Sequence, residues 1–81
     1  MFYFYILKSD KKNSYYIGST ENFDNRLEKH NAGMVKSTKN ARPWKLILIQ
    51  NFLTLSEARQ MESKVKKWKS RTAIERLIRN I

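Results

Sequence analysis

Glu62 stands where a helix should be apolar. Between Thr54 and Lys69, at about 100° per residue, Leu55, Ala58, Met61, Val65 and Trp68 share one stripe, and Glu62 falls between Leu55 and Ala58 on it. A carboxylate turned towards a core loses hydration and calls for a cation, whether Arg, Lys or a metal ion. Arg59, Lys64 and Lys67 point elsewhere on the wheel. Helical geometry accommodates a structural salt bridge near the sheet edge as well as an ion site.

Arg26 and His30 form a second constellation, four residues apart on an earlier helical segment. His30 is close in angle to Phe23 and Leu27, and Arg26 lies on the adjoining side, so both lean towards the core. A lone histidine beside an apolar stripe suits a hydrogen-bonded core position as well as a catalytic one. A guanidinium angled inward meets a carboxylate or a phosphate. The tyrosines are a third set: Tyr3 and Tyr5 share one face of a first strand, while Tyr15 and Tyr16 point oppositely on a second. Aromatic cross-strand pairs also stabilise sheets with no chemistry involved. Finally, Lys36, Ser37, Thr38, Lys39 and Arg42 interleave cations with hydroxyls in a connection suited to phosphate contacts or to plain solvation.

The elements that must position these groups follow from periodicity and punctuation. Phe2 to Leu7 is β-prone and aromatic, Lys8 to Asn13 is a polar turn, and Ser14 to Thr20 is strand-like at hairpin distance. Asn22 to Ala32 reads as a short helix, closed by Gly33 where a left-handed residue is wanted. Pro43 biases Arg42 towards extended backbone. The apolar run Leu46-Ile47-Leu48-Ile49 then predicts a central strand covered on both faces. Thr54 and Glu57 fit a capping box for a helix running to about Lys69. Ala73, Ile74, Leu77, Ile78 and Ile81 place a last helix from about Arg71 to Arg79. The order β-β-α-β-α-α predicts an α+β fold, a small three-stranded antiparallel sheet flanked by helices, as one domain over residues 1–81.

Composition narrows the chemistry. With 81 residues the chain buries roughly 60% of its unfolded surface, so the site must share the elements that hold the fold. The absence of cysteine excludes disulfides, thiolate zinc sites and a Cys nucleophile. Phe2 to Leu7 is too short for a signal peptide or a membrane span, so cytoplasm is the expected compartment and no membrane partner is expected. Seventeen Lys and Arg against seven Asp and Glu give a net charge of +10, which favours a polyanionic partner, above all nucleic acid.

Tyr16-Ile17-Gly18-Ser19-Thr20, followed by Asn22, Arg26-Leu27, His30-Asn31 and Gly33, resembles the GIY-YIG nuclease superfamily. Tyr3-Phe4-Tyr5 stands where the family name has Gly-Ile-Tyr, and Glu62 is similar in placement to the family's metal-binding glutamate. The resemblance covers nearly the whole chain. The segments Lys36 to Lys39 and Arg42 to Leu46 narrow it to the short, stand-alone bacterial members.

The resemblance implies that Tyr5, Tyr16, Arg26, His30 and Glu62 meet at one side of the sheet as a catalytic set. It implies one divalent ion, Mg²⁺ or Mn²⁺, on Glu62, with water and phosphate oxygen filling the other positions; one histidine and no cysteine argue against zinc. Arg26 would neutralise the phosphoryl oxygens and the ion the leaving 3′ oxygen. Tyr5 or Tyr16 would take the proton from the attacking water, helped by His30 or Lys36. The expected function is metal-dependent cleavage of DNA, favoured over RNA, including structured or damaged DNA. The rivals are a binding module that grips nucleic acid without cutting it and a basic accessory of a ribonucleoprotein.

Overall fold

The computed structural model describes residues 1–80, so Ile81 lies outside the described residues. Among these, the strands are β1 (Phe2–Ser9), β2 (Tyr15–Thr20) and β3 (Trp44–Phe52), and the helices are α1 (Phe23–Asn31), α2 (Leu55–Trp68) and α3 (Arg71–Arg79), with one tight helical turn at Lys39–Ala41. The element order is the expected one, and the sheet is antiparallel throughout.

Its strand order is β2-β1-β3, which corrects one expectation. The central strand is β1, whose Phe4, Tyr5, Ile6 and Leu7 are all buried, whereas β3 lies at an edge with Leu46, Ile47 and Ile49 still 37–38% exposed. The physical reason is a bulge. Ile6 pairs with Leu48 but Leu7 pairs with Leu46, leaving Ile47 as an extra residue. Leu46 and Leu48 therefore face opposite sides of the sheet although they are two apart, and an apolar run that reads as a doubly covered strand serves an edge strand whose faces exchange midway.

Each face of the sheet has its own cover. Phe4, Ile6, Ile17 and Leu48 pack with Val65 of α2, joined by Trp68 of α2 and by Ile74, Leu77 and Ile78 of α3. On the other face Tyr5, Leu7, Ala41 and Trp44 pack with Tyr16, Phe23 and Leu27, so α1 and the segment before β3 close that side. Alternation along β1 and β2 thus assigns Tyr5, Tyr16 and Gly18 to the α1 layer, and Ile17 and Ser19 to the α2 layer.

Gly33 and Thr54 end and begin their helices as expected, and two further caps appear. Asn22 caps α1 by accepting the amide of Asn25, Ser70 caps α3 through the amide of Ala73, and Gly33 adopts φ +79° just past α1. At α2, Thr54 accepts the amide of Glu57 at 3.2 Å. The other half of the expected capping box differs: the Glu57 carboxylate accepts the Thr54 hydroxyl at 3.0 Å instead of reaching the Thr54 backbone amide.

Candidate active site

His30 anchors the α1 side. It is fully buried, with Nε2 3.1 Å from the Tyr5 phenol and Nδ1 2.8 Å from the Thr38 hydroxyl. The Thr38 hydroxyl also reaches the carbonyl of Val35 at 3.3 Å. With Thr38 donating to that carbonyl, the assignment that satisfies every atom has His30 protonated on Nδ1, donating to Thr38, and Nε2 accepting from Tyr5. Burial, together with the charge of Arg26, pushes the His30 pKa down from 6.5 to about 4. The imidazole is therefore neutral near pH 7 and acts as a fixed acceptor for the Tyr5 proton.

The two motif tyrosines occupy unequal positions. Tyr5 is 1% exposed, and burial pushes its phenol up to about 12. Sealed from solvent, it favours the neutral phenol, whereas the expectation allows either Tyr5 or Tyr16 as the base. Tyr16 is only half-buried, its ring held edge-on to His30 with centroids 4.7 Å apart and to Trp44 at 6.2 Å. The Arg26 guanidinium is half-buried on the same side. The phenol oxygens of Tyr5, foremost, and of Tyr16 hold its pKa above the ordinary value.

Gly18 explains how these groups fit. It pairs with Tyr5 across the hairpin, and a Cβ there would lie 2.6 Å from the Tyr5 hydroxyl and 3.0 Å from the Tyr16 ring. The missing side chain is the space into which the phenol of Tyr5 folds. This gives the motif glycine a steric reason, independent of backbone torsion.

Glu62 does not join this group directly. It sits on the α2 layer, 22% exposed at the side chain, with Oε1 accepting the Ser19 hydroxyl at 2.5 Å and Oε2 accepting the Lys66 ammonium at 2.6 Å. Its link to the group is electrostatic: after burial, the larger cause, the Glu62 charge helps raise the pKa of the Tyr5 phenol. The cation that a partly desolvated Glu62 requires is Lys66, one turn along on the same helix. An i, i+4 reading of α2 would have found it.

The connection before β3 is more tightly built than its composition suggests. Thr38 is buried, with its hydroxyl on His30 and its carbonyl accepting the Trp44 indole at 2.9 Å, so it is no surface contact for phosphate, contrary to expectation. Lys36, Ser37, Lys39 and Arg42 are exposed. Arg42 lies against Gly33 and donates to the carbonyl of Lys39 at 2.8 Å. Asn31, whose role the sequence left blank, clamps Trp44 twice: it accepts the Trp44 amide at 2.7 Å and donates to the Trp44 carbonyl at 3.2 Å. A cleft here is lined by Lys11, Lys12, Lys39, Asn40 and Arg42. The hairpin lysines thus join the predicted basic connection, while Lys36 lies outside the cleft.

The donor set suits a hard dication. Among the described residues no three His, Cys, Asp or Glu side chains cluster for a metal. Glu62 beside the Ser19 hydroxyl nevertheless offers oxygen donors of the kind that hold Mg²⁺ or Mn²⁺ through one carboxylate, with water and phosphate completing the shell. No described helix is long and apolar enough to cross a membrane.

Comparison with known proteins gives a consistent result. The GIY-YIG catalytic domain matches residues 1–75. A UPF0213 protein of Listeria welshimeri is 46% identical over 66 residues, covering 80% of this chain and 72% of the relative. A UPF0213 protein of Staphylococcus haemolyticus is 43% identical over 65 residues, covering 79% of this chain and 78% of the relative. The solution NMR structure of a UPF0213 protein from Bacillus halodurans superposes with a TM-score of 0.62 at 35% identity, over 96% of this chain and 83% of that one.

Proposed function

Because this chain belongs to the GIY-YIG catalytic domain family, and so carries a nuclease-type domain, we propose that it hydrolyses phosphodiester bonds in DNA, with a divalent ion on Glu62. The observation that supports this reading best is the gathering of Tyr5, Tyr16 and a half-buried Arg26 on the α1 side of the sheet, where the phenols hold the Arg26 pKa above its ordinary value, next to a histidine held neutral by burial. A permanent cation and a partly open phenol at one point form a site for an anionic group under attack by water.

The roles follow from burial. Tyr16, the more open of the two motif tyrosines, takes the proton from the attacking water as the phenolate, its own phenolic proton having first passed to solvent. Arg26 stays charged at any working pH and neutralises the phosphoryl oxygens as negative charge gathers on them. Tyr5 and His30 are positioning residues: the buried phenol steadies Arg26 and donates to His30, and His30 fixes the Thr38 turn in front of Trp44. Glu62, with Ser19 orienting its carboxylate, would hold Mg²⁺ or Mn²⁺. When bound, that ion supplies positive charge for the leaving 3′ oxygen. Lys11, Lys12, Lys39 and Arg42 grip the backbone without reading bases, which favours recognition of DNA shape or structure over a long specific sequence.

One observation favours a second reading, a module that binds and does not cut. Both carboxylate oxygens of Glu62 already have protein partners, so the pair with Lys66 supports a purely structural role for that residue. Cleavage assays on nicked, flapped, branched and single-stranded DNA and RNA in Mg²⁺ or Mn²⁺ separate the two. Under the nuclease reading Tyr16→Phe lowers the single-turnover rate by about 10²-fold with binding unchanged. Tyr5→Phe chiefly lowers the melting temperature, since it leaves the buried His30 acceptor unpaired. Rate loss in Tyr5→Phe with full activity in Tyr16→Phe would refute the assignment of the base.

A further inference from the structure

We infer that Lys66 is a resident counter-cation that competes with a divalent ion for Glu62 until a nucleic-acid phosphate draws the ammonium away. This rests on the proposed role of Glu62 as the ion's ligand and adds to it a condition for loading.

Three features point the same way. The ammonium lies 2.6 Å from Oε2, on the oxygen that Ser19 leaves free, so a dication approaching that oxygen meets a positive charge first. The Lys66 side chain is 52% exposed, on a flexible four-carbon stem, so the pair is readily exchanged and not locked by packing. A cleft lined by Arg59, Glu62, Ser63, Lys66, Lys67 and Lys69 surrounds it. One carboxylate among four cations makes this an anion-attracting surface, and a backbone phosphate entering it becomes the alternative partner for Lys66. Ser63 and the cations fall outside the segment 36–42 that the sequence marks for nucleic acid, so phosphate would be held on the α2 face as well as beside the hairpin.

The consequence is positive coupling between metal and phosphate, each favouring the other by displacing Lys66. An unpaired Glu62 would bind the ion more tightly in the absence of substrate. Exposed i, i+4 ion pairs have modest strengths, so freeing the carboxylate should tighten binding of the ion about two- to fivefold.

The test is a titration of Mn²⁺ alone, followed by water-proton relaxation enhancement, into the wild-type protein and four variants whose folding is checked by circular dichroism. Lys66→Met is expected to tighten Mn²⁺ binding about two- to fivefold, and Lys66→Arg to stay near wild type because the cation is retained. Lys67→Met, which removes the same charge without freeing Glu62, is expected to change it by less than about twofold. Glu62→Gln is expected to abolish the site. Wild-type affinity in Lys66→Met, or equal tightening in Lys67→Met, would overturn the counter-cation role while leaving Glu62 as ligand. Unchanged binding in Glu62→Gln would overturn both this inference and the metal role on which it rests.

Discussion

Arg26→Ala is expected to lower DNA cleavage by about 10²–10³-fold, the range seen when one fixed donor to a developing anion is removed, with the melting temperature changed little. The guanidinium is only half-buried, and the phenol it faces, Tyr5, keeps its hydrogen bond to His30, so its loss leaves no buried group stranded. Arg26→Lys should recover only a small part of the rate, because a single ammonium cannot present to a phosphoryl group the planar fork of donors that a guanidinium does. Rates from single-turnover assays at saturating protein isolate the chemical step. A rate within about threefold of wild type for Arg26→Ala would mean that the charge serves only binding.

Acid should weaken the protein through His30. The folded-state pKa, about 4, lies below the unfolded value of 6.5, so the unfolded chain binds the proton more readily. The stabilising contribution is complete above pH 6.5 and is lost as pH falls from there through about 4. That interval corresponds to about 3 kcal/mol, a large part of the stability of a domain this size. Protonation would also set a positive charge against Arg26 and remove the acceptor on which the Tyr5 phenol rests. Urea denaturation at pH 7.5, 5.5 and 4 should show the loss in wild type. In His30→Gln the curve should start lower and fall less over the same interval. Parallel curves for the two proteins would show that His30 stays neutral for some other reason or titrates without consequence.

The order of elements was legible because it depends on local signals, such as the Thr54 cap and Gly33. The identity of the central strand was not legible, because it depends on pairing between residues 35 to 50 apart and on a bulge at Ile47 that no local pattern announces. That one long-range fact decides much of the site's chemistry. With β1 in the middle, Tyr5 is sealed and raised, and Tyr16 on edge strand β2 is left open, although the two read alike in sequence. The spacing of Arg26 and His30 gave their shared lean towards the sheet, and both lie on the α1 side. Thr38 looked like a surface hydroxyl among lysines because its burial is created by His30, Trp44 and the Asn31 clamp acting together. Lys66 does not stand out in the sequence for a different reason. Its distance from Glu62 is ordinary helical spacing, and only the Ser19 hydroxyl on the other carboxylate oxygen marks that pair as special.

The most direct test of a metal-dependent nuclease is single-turnover cleavage of end-labelled branched DNA in Mg²⁺ by wild-type protein and Glu62→Gln, with binding measured in parallel. The expected result is cutting by wild type only, leaving 3′-hydroxyl and 5′-phosphate ends, no cutting in EDTA, and DNA binding by Glu62→Gln at least as tight as that of wild type. Equal cleavage by Glu62→Gln would contradict the account, as would salt-sensitive binding by both proteins with no cleavage by either.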